Sequence, residues 1–179
     1  MDVFGTFIPE KVLTNFDLIE YAKKLKILKF RGVFMRDTLP SKLHKEECGI
    51  VNLNTSEEKG SHWVCYYKKG RNRIYFDSFG QITPVEIQDY LKSRKERGIG
   101  VIQRNTDIVQ PFNSTICGHL CLFTLKALTN GWTFQQVLNY LNGYPQRNRK
   151  ATETEERIHT PKTQVHGTLQ PLGRATRRK

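Results

Sequence analysis

The sequence has no apolar run of about 18 residues or more, which argues against a helix that crosses a bilayer. Its opening, "MDVFGTFIPEK", lacks a basic region followed by an apolar stretch, so it carries no signal-peptide signature. Cysteine is scarce: Cys48, Cys65, Cys117 and Cys121 stand at irregular spacings. A disulfide framework would be sparse in a chain of 179 residues, and three of these cysteines sit in apolar surroundings. That usage fits a reducing intracellular compartment. No C-x-x-C pair occurs, which leaves little room for a structural zinc site. Cys117 and Cys121, four apart, joined by Cys48 or Cys65, make only a weak ligand set, so no metal is expected. The absence of H-E-x-x-H and of a glycine-rich phosphate loop argues against a zincin and a nucleotide-binding turn. Acids are few as well, 17 against 29 Lys and Arg, for a net charge of +12.

Hydrophobic residues make up 37% of the chain and aromatics 11%, enough for one domain with a core of its own. The composition changes near Tyr144. From residue 145 onward the chain is polar, has no aromatic residue, and carries nine Lys and Arg against three acids. Residues 1–144 are therefore expected to form the folded domain and 145–179 a basic, disordered tail. A positive surplus of this size favours polyanions through counterion release, so DNA is a candidate partner. The plainer alternative is a basic surface with no specific partner.

Thr14 or Asn15 is positioned to cap a helix whose apolar stripe would be Leu18, Ile19, Ala22 and Leu25. "FRGVFMRD", "CGIVNLN" (48–54), "HWVCYYKK" (62–69) and "RIYFDSF" (73–79) read as strands, the last two joined by a hairpin turn. "PVEIQDYLKSRKER" (84–97) reads as a helix, "IGVIQRN" (99–105) as a short strand, and "ICGHLCLFTLKALTN" as an apolar helix stopped by Gly131. "TFQQVLNYLNG" forms a last helix, capped by Thr133. No internal repeat is present. Strands grouped ahead of the final helices point to an α+β domain.

"VQPFNSTICGHLCLF" (109–123) carries the question of chemistry, because Cys117 sits where a polar turn becomes an apolar helix. A thiol attacks a carbonyl as the thiolate, and a helix N-terminus or a neighbouring imidazolium favours that form. Asn113, Ser114 and Thr115 are candidate caps, and Gly118 would let a substrate backbone come close. The alternative is a buried structural thiol. Among five histidines, His159 and His166 lie in the tail, His44 in a charged loop, and His119 on another side of the cysteine helix. His62, where "GSH" enters a strand, is the candidate base. Asp77, an acid within "IYFDSFG" on the paired strand, would fix its tautomer, or else cap the turn that follows. The Cys117 N–H and the Gln110 side-chain amide are candidate donors to an oxyanion, although chemistry alone favours a solvated loop residue for Gln110.

Taken in order, His62, Asp77, Gln110 and Cys117 resemble the adenovirus protease (adenain) family. Within it, the likeness is to proteases of adenovirus-like DNA viruses and of Maverick/Polinton transposons, and more distantly to the SUMO-deconjugating proteases. The blocks that carry it are "FRGVFMRDTLP", "ECGIVNLN", "GSHWVCYYKK", "YFDSFG" and "QPFNSTICGHLCLF", over residues 30 to 123. The resemblance implies a papain-like α+β fold with a mixed sheet packed on the cysteine helix. It implies a thiol endopeptidase with Cys117 as nucleophile, His62 as base and then acid, Asp77 as orienting carboxylate and Gln110 in the oxyanion hole. Trp63 would shape the substrate groove, with Gly118 beside it; ordinary sheet packing is the alternative for Trp63. Implied substrates are viral or transposon precursor (capsid) proteins cut after small residues such as glycine, with the enzyme a monomer in a virion or host nucleus. No cofactor is required for such chemistry, and DNA or an activating peptide would act as stimulant. Asp77 replaces the Glu of the adenovirus enzymes, as in the SUMO proteases. "RGIGVIQRN" lacks the cysteine that ties the activating peptide in those enzymes. An isopeptidase removing a ubiquitin-like modifier would use the same site, and a basic DNA-binding protein on an inactive protease scaffold is the reading of another class.

Overall fold

The computed structural model describes residues 1–92 and 101–143. The tail expected over 145–179 lies outside them, as do the last residues of the helix expected over 84–97 and the first of the strand expected over 99–105.

The chain opens with a small hairpin, β1 (Asp2–Val3) and β2 (Thr6–Phe7), which composition did not signal. Its turn residues Phe4 and Gly5 both have positive φ, +48° and +79°, as a two-residue turn matched to strand twist requires. Helix α1 (Asn15–Lys24) follows. Thr14 is its cap: the Asp17 N–H donates to Thr14 Oγ1 at 3.2 Å, and the Thr14 N–H donates to Asp17 Oδ2 at 2.9 Å. Leu18, Ala22 and Leu25 are buried as expected, whereas Ile19 faces solvent. The buried face of α1, which packs against β3 and α3, is narrower than the stripe read from sequence.

The main sheet has five strands: β3 (Phe30–Met35), β4 (Glu46–Asn52), β5 (Trp63–Lys69), β6 (Asn72–Phe76) and β7 (Ile102–Arg104), in that spatial order. The outer pairs β3–β4 and β6–β7 are parallel and the inner pairs antiparallel. Between β6 and β7 runs α2 (Val85–Leu91); α3 (Cys117–Thr129) and α4 (Phe134–Gly143) close the described chain. The fold is thus α+β, with the sheet mixed as expected.

Side chains alternate across the sheet with period two. Cys48, Ile50, Cys65, Ile74 and Phe76 point into the larger core, shared with α1, α3 and α4. Val51, Val64, Tyr66 and Tyr75 point into a smaller core closed by Ile87 and Leu91 of α2. Burial on both faces is why the central strands read as near-continuous apolar runs. Helix α3 is buried on nearly every side, as an all-round apolar helix must be. On the α2 side, the buried carboxylate of Glu47 accepts from the Tyr66 and Tyr90 hydroxyls and from Arg31, tying β4 to β5, α2 and β3.

Candidate active site

His62 is the residue before β5, and Asp77 the residue after β6. Both strand ends belong to one antiparallel pair, whose register joins Cys65 to Phe76. Extending that register by one step places Asp77 beside the start of β5. The His62 backbone is held by its carbonyl, which accepts from the Leu53 N–H at 3.0 Å. The result is a contact of 2.7 Å between His62 Nε2 and Asp77 Oδ1, with Asp77 fully buried and His62 only slightly exposed.

Asp77 also fulfils the turn-capping alternative. Its carboxylate accepts from the Phe79 N–H at 2.9 Å and the Gln81 N–H at 3.3 Å, so one acid holds both the turn and the imidazole. The turn closes with Gly80 at φ +67°, where a Cβ would lie 2.4 Å from the Thr106 carbonyl oxygen; only glycine fits. Asn105, buried, grips the same turn from β7: Oδ1 accepts from the Asp77 N–H at 3.1 Å, and Nδ2 donates to the carbonyls of Asp77 and Asp107. Sequence reading missed Asn105, because its bonds to Asp77 span 28 residues and no local pattern marks it.

Cys117 opens α3. The helix starts one residue later than expected, and its cap position is Ile116, which offers no side-chain acceptor. Asn113, Ser114 and Thr115 therefore do not cap it. No residue ahead of α3 caps its first N–H groups with a side chain, and a helix start of this kind favours negative charge. Cys117 and His62 line one cleft, and the His62 ring and the Trp63 and Gly118 N–H groups all favour the thiolate of Cys117. With Nε2 committed to Asp77, the ring nitrogen left for the thiol is Nδ1. Burial pushes the Cys117 thiol up, but His62 and the two N–H groups outweigh it, and the net shift is downward. Burial likewise opposes charge on His62; the bonds to Asp77 and Cys117 overcome it and raise the imidazole to about 9. Both shifts favour a thiolate beside an imidazolium.

Gln110 is buried, not a solvated loop residue. Its Oε1 accepts from Ser78 Oγ at 2.7 Å, and its Nε2 donates to the Ser114 carbonyl at 2.8 Å. Gln110, His62 and Cys117 meet in a cleft of about 710 Å³. Trp63 lines the cleft and also donates Nε1–H to the Leu13 carbonyl at 2.9 Å. Gly118 corrects its expected role: a Cβ there would meet Leu18 at 3.1 Å and Leu13 at 3.4 Å. The space it leaves is taken by α1 and its approach, and Gly118 does not line the cleft.

Of the other thiols, Cys121 donates to the Trp63 carbonyl at 3.4 Å from the core, and Cys48 and Cys65 are packed in the sheet. His119 is turned away from the cleft, with Nε2 2.7 Å from the Pro9 carbonyl. Two aromatics that sequence reading did not single out extend the site. The Phe79 ring lies 4.8 Å from the His62 ring and stacks at 5.7 Å on Phe112, which is 79% exposed.

The sequence model of the adenovirus endoprotease family matches residues 30–172. A protease of Bovine adenovirus 2 is 31% identical over 134 residues, covering 65% of this chain and 64% of that protein. A crystal structure of the ASFV protease superposes with a TM-score of 0.53 at 18% identity, covering 70% of this chain and 60% of the other. Its selenomethionine form gives a TM-score of 0.50 at 16% identity, over 74% and 62% of the two chains. The chain thus spans just under two thirds of the length of each of these relatives, and shares the fold of the ASFV protease.

Proposed function

The chain belongs to the adenovirus endoprotease family, and from that premise we propose that it is a cysteine endopeptidase acting through Cys117, His62, Asp77 and Gln110. The observation that carries the reading is the His62–Asp77 contact at 2.7 Å, with the imidazole raised and the neighbouring thiol lowered in pKa. A thiolate at the head of α3 is the nucleophile such chemistry needs, and both shifts favour it before substrate arrives.

In this mechanism Cys117 Sγ attacks the peptide carbonyl carbon, and the carbonyl electron pair moves onto oxygen. The Cys117 N–H and one Gln110 Nε2–H stabilise that oxyanion. Its collapse breaks the C–N bond, and the imidazolium of His62 gives its proton to the departing amine. His62, now neutral, takes a proton from water, whose oxygen attacks the thioester. Thiolate leaves, the acid product departs, and the proton rests again on His62. Asp77 keeps Nε2–H pointed at itself throughout, so Nδ1 always faces the sulfur.

Trp63 on one side and Phe79 with Phe112 on the other would hold the substrate chain. The substrates proposed are viral or transposon precursor proteins cut after small residues such as glycine, in a virion or host nucleus. The net charge of +12 supports stimulation by DNA. The test is steady-state cleavage of a fluorogenic peptide ending in Gly-Gly, with and without duplex DNA. Turnover by the wild type and none by Cys117→Ala is the expected result. An inert wild type, with Cys117 also unreactive to a mild alkylating agent near neutral pH, would overturn the proposal in favour of a DNA-binding protein on an inactive scaffold.

A further inference from the structure

We propose that Ser78 is a positioning residue that locks the Gln110 amide in the orientation an oxyanion hole requires. The inference rests on the peptidase reading above and goes one residue beyond it.

A glutamine amide has an oxygen and a nitrogen of nearly the same shape, and a half-turn about its last bond exchanges them. Only one of the two orientations offers a donor to the cleft. The Ser114 carbonyl can accept and cannot donate, so its contact at 2.8 Å must be made by Gln110 Nε2. Gln110 Oε1 is then turned inward, where a buried carbonyl oxygen needs a donor. Ser78 Oγ, fully buried, supplies it at 2.7 Å. With one Nε2–H given to Ser114, the other remains for the cleft.

Ser78 holds the Gln110 loop a second way. Its carbonyl accepts from the Val109 N–H at 2.9 Å, so backbone and side chain of one residue grip two consecutive residues of that loop. Ser78 is also the residue after Asp77. One turn therefore sets the imidazole through Asp77 and the amide through Ser78, and a shift in it would move both toward or away from Cys117. Without the hydroxyl, Oε1 would be left buried and unpaired. The amide would then be held at one end only.

The test is a double-mutant cycle on Ser78→Ala and Gln110→Ala, with Ser78→Cys as a near-isosteric variant. Ser78→Ala is expected to lower kcat by about tenfold with KM unchanged, because the oxyanion forms after binding. In the Gln110→Ala background the same change should have almost no further effect. Ser78→Ala should also leave the pH dependence of Cys117 alkylation where it is in the wild type, since the thiol–imidazole pair does not use the hydroxyl. An equal loss in both backgrounds, or a loss confined to KM, would overturn the proposal. A readout independent of turnover is the pair of Gln110 Nε2 proton signals in nitrogen-15 NMR. They should lie away from the shifts of a free glutamine amide and exchange slowly with solvent in the wild type, and should move toward those shifts and exchange faster in Ser78→Ala. Unchanged signals would overturn the role of Ser78 whatever the enzyme does. Changed signals in a protein that turns over no substrate would instead count against the peptidase reading.

Discussion

At the scale of single residues, the lowered thiol of Cys117 and the raised imidazole of His62 predict two different pH profiles. Alkylation of Cys117 follows the thiolate, so it should already proceed below the usual thiol range and stay high in alkali. Turnover also needs the proton on His62, so it should fall again as pH rises through about 9. Stopped-flow alkylation and steady-state rates measured over the same pH series separate the two limbs. Asp77→Asn removes the charge that favours the imidazolium. The alkaline limb should then move to lower pH, and kcat should fall by about 100-fold or more. His62, Asp77 and Cys117 were legible because each lies where a strand ends or a helix begins, whereas Gln110 stands within a loop and was picked out by the family resemblance. Ser78 and Asn105 were not, since each acts across some thirty residues of chain through a buried bond. Gly118 was misassigned for a related reason: its spacing from Cys117 says nothing of which neighbour fills the room beside it.

At the scale of elements, the turn after β6 and the start of α1 are the points where local geometry bears on the site. Gly80→Ala must either push the Thr106 carbonyl away or abandon a positive φ. It is expected to destabilise the fold by about 1–3 kcal/mol, read as a shift in the urea midpoint, and to lower kcat through Asp77. Thr14→Ala removes the capping box of α1 and should cost about 1 kcal/mol with much smaller effects on kcat, because Thr14 and Asn15 form part of the cleft wall but hold none of Cys117, His62, Asp77 and Gln110 by a hydrogen bond. An equal fall in kcat for the two variants would show that the turn has no special hold on the site. The strands and long helices were readable from their periodicity and stop signals. The β1–β2 hairpin was not, for two residues per strand show no period. The uncapped head of α3 also ran against expectation: three good capping residues precede it, and none turns back to it.

At the scale of the whole molecule, the surplus of positive charge predicts DNA affinity that weakens steeply with salt, by about a thousandfold between about 50 and 200 mM. Fluorescence anisotropy with a short duplex measures it, and affinity indifferent to salt would exclude a charge-driven contact. The α+β class followed from the order of elements along the chain. The mixed sheet came with the family resemblance, but the order of its strands did not, because which strands become neighbours depends on the packed helices between them.

The unequal setting of the cysteines has a use in the laboratory. Cys48, Cys65 and Cys121 are sealed by the sheet and the inner face of α3, and burial pushes the Cys48 and Cys121 thiols up. Cys117 alone opens on the cleft. A folded preparation should therefore take up a single equivalent of thiol label and an unfolded one all four. Intact-mass spectrometry of the labelled protein would then count competent molecules directly, without knowledge of any substrate.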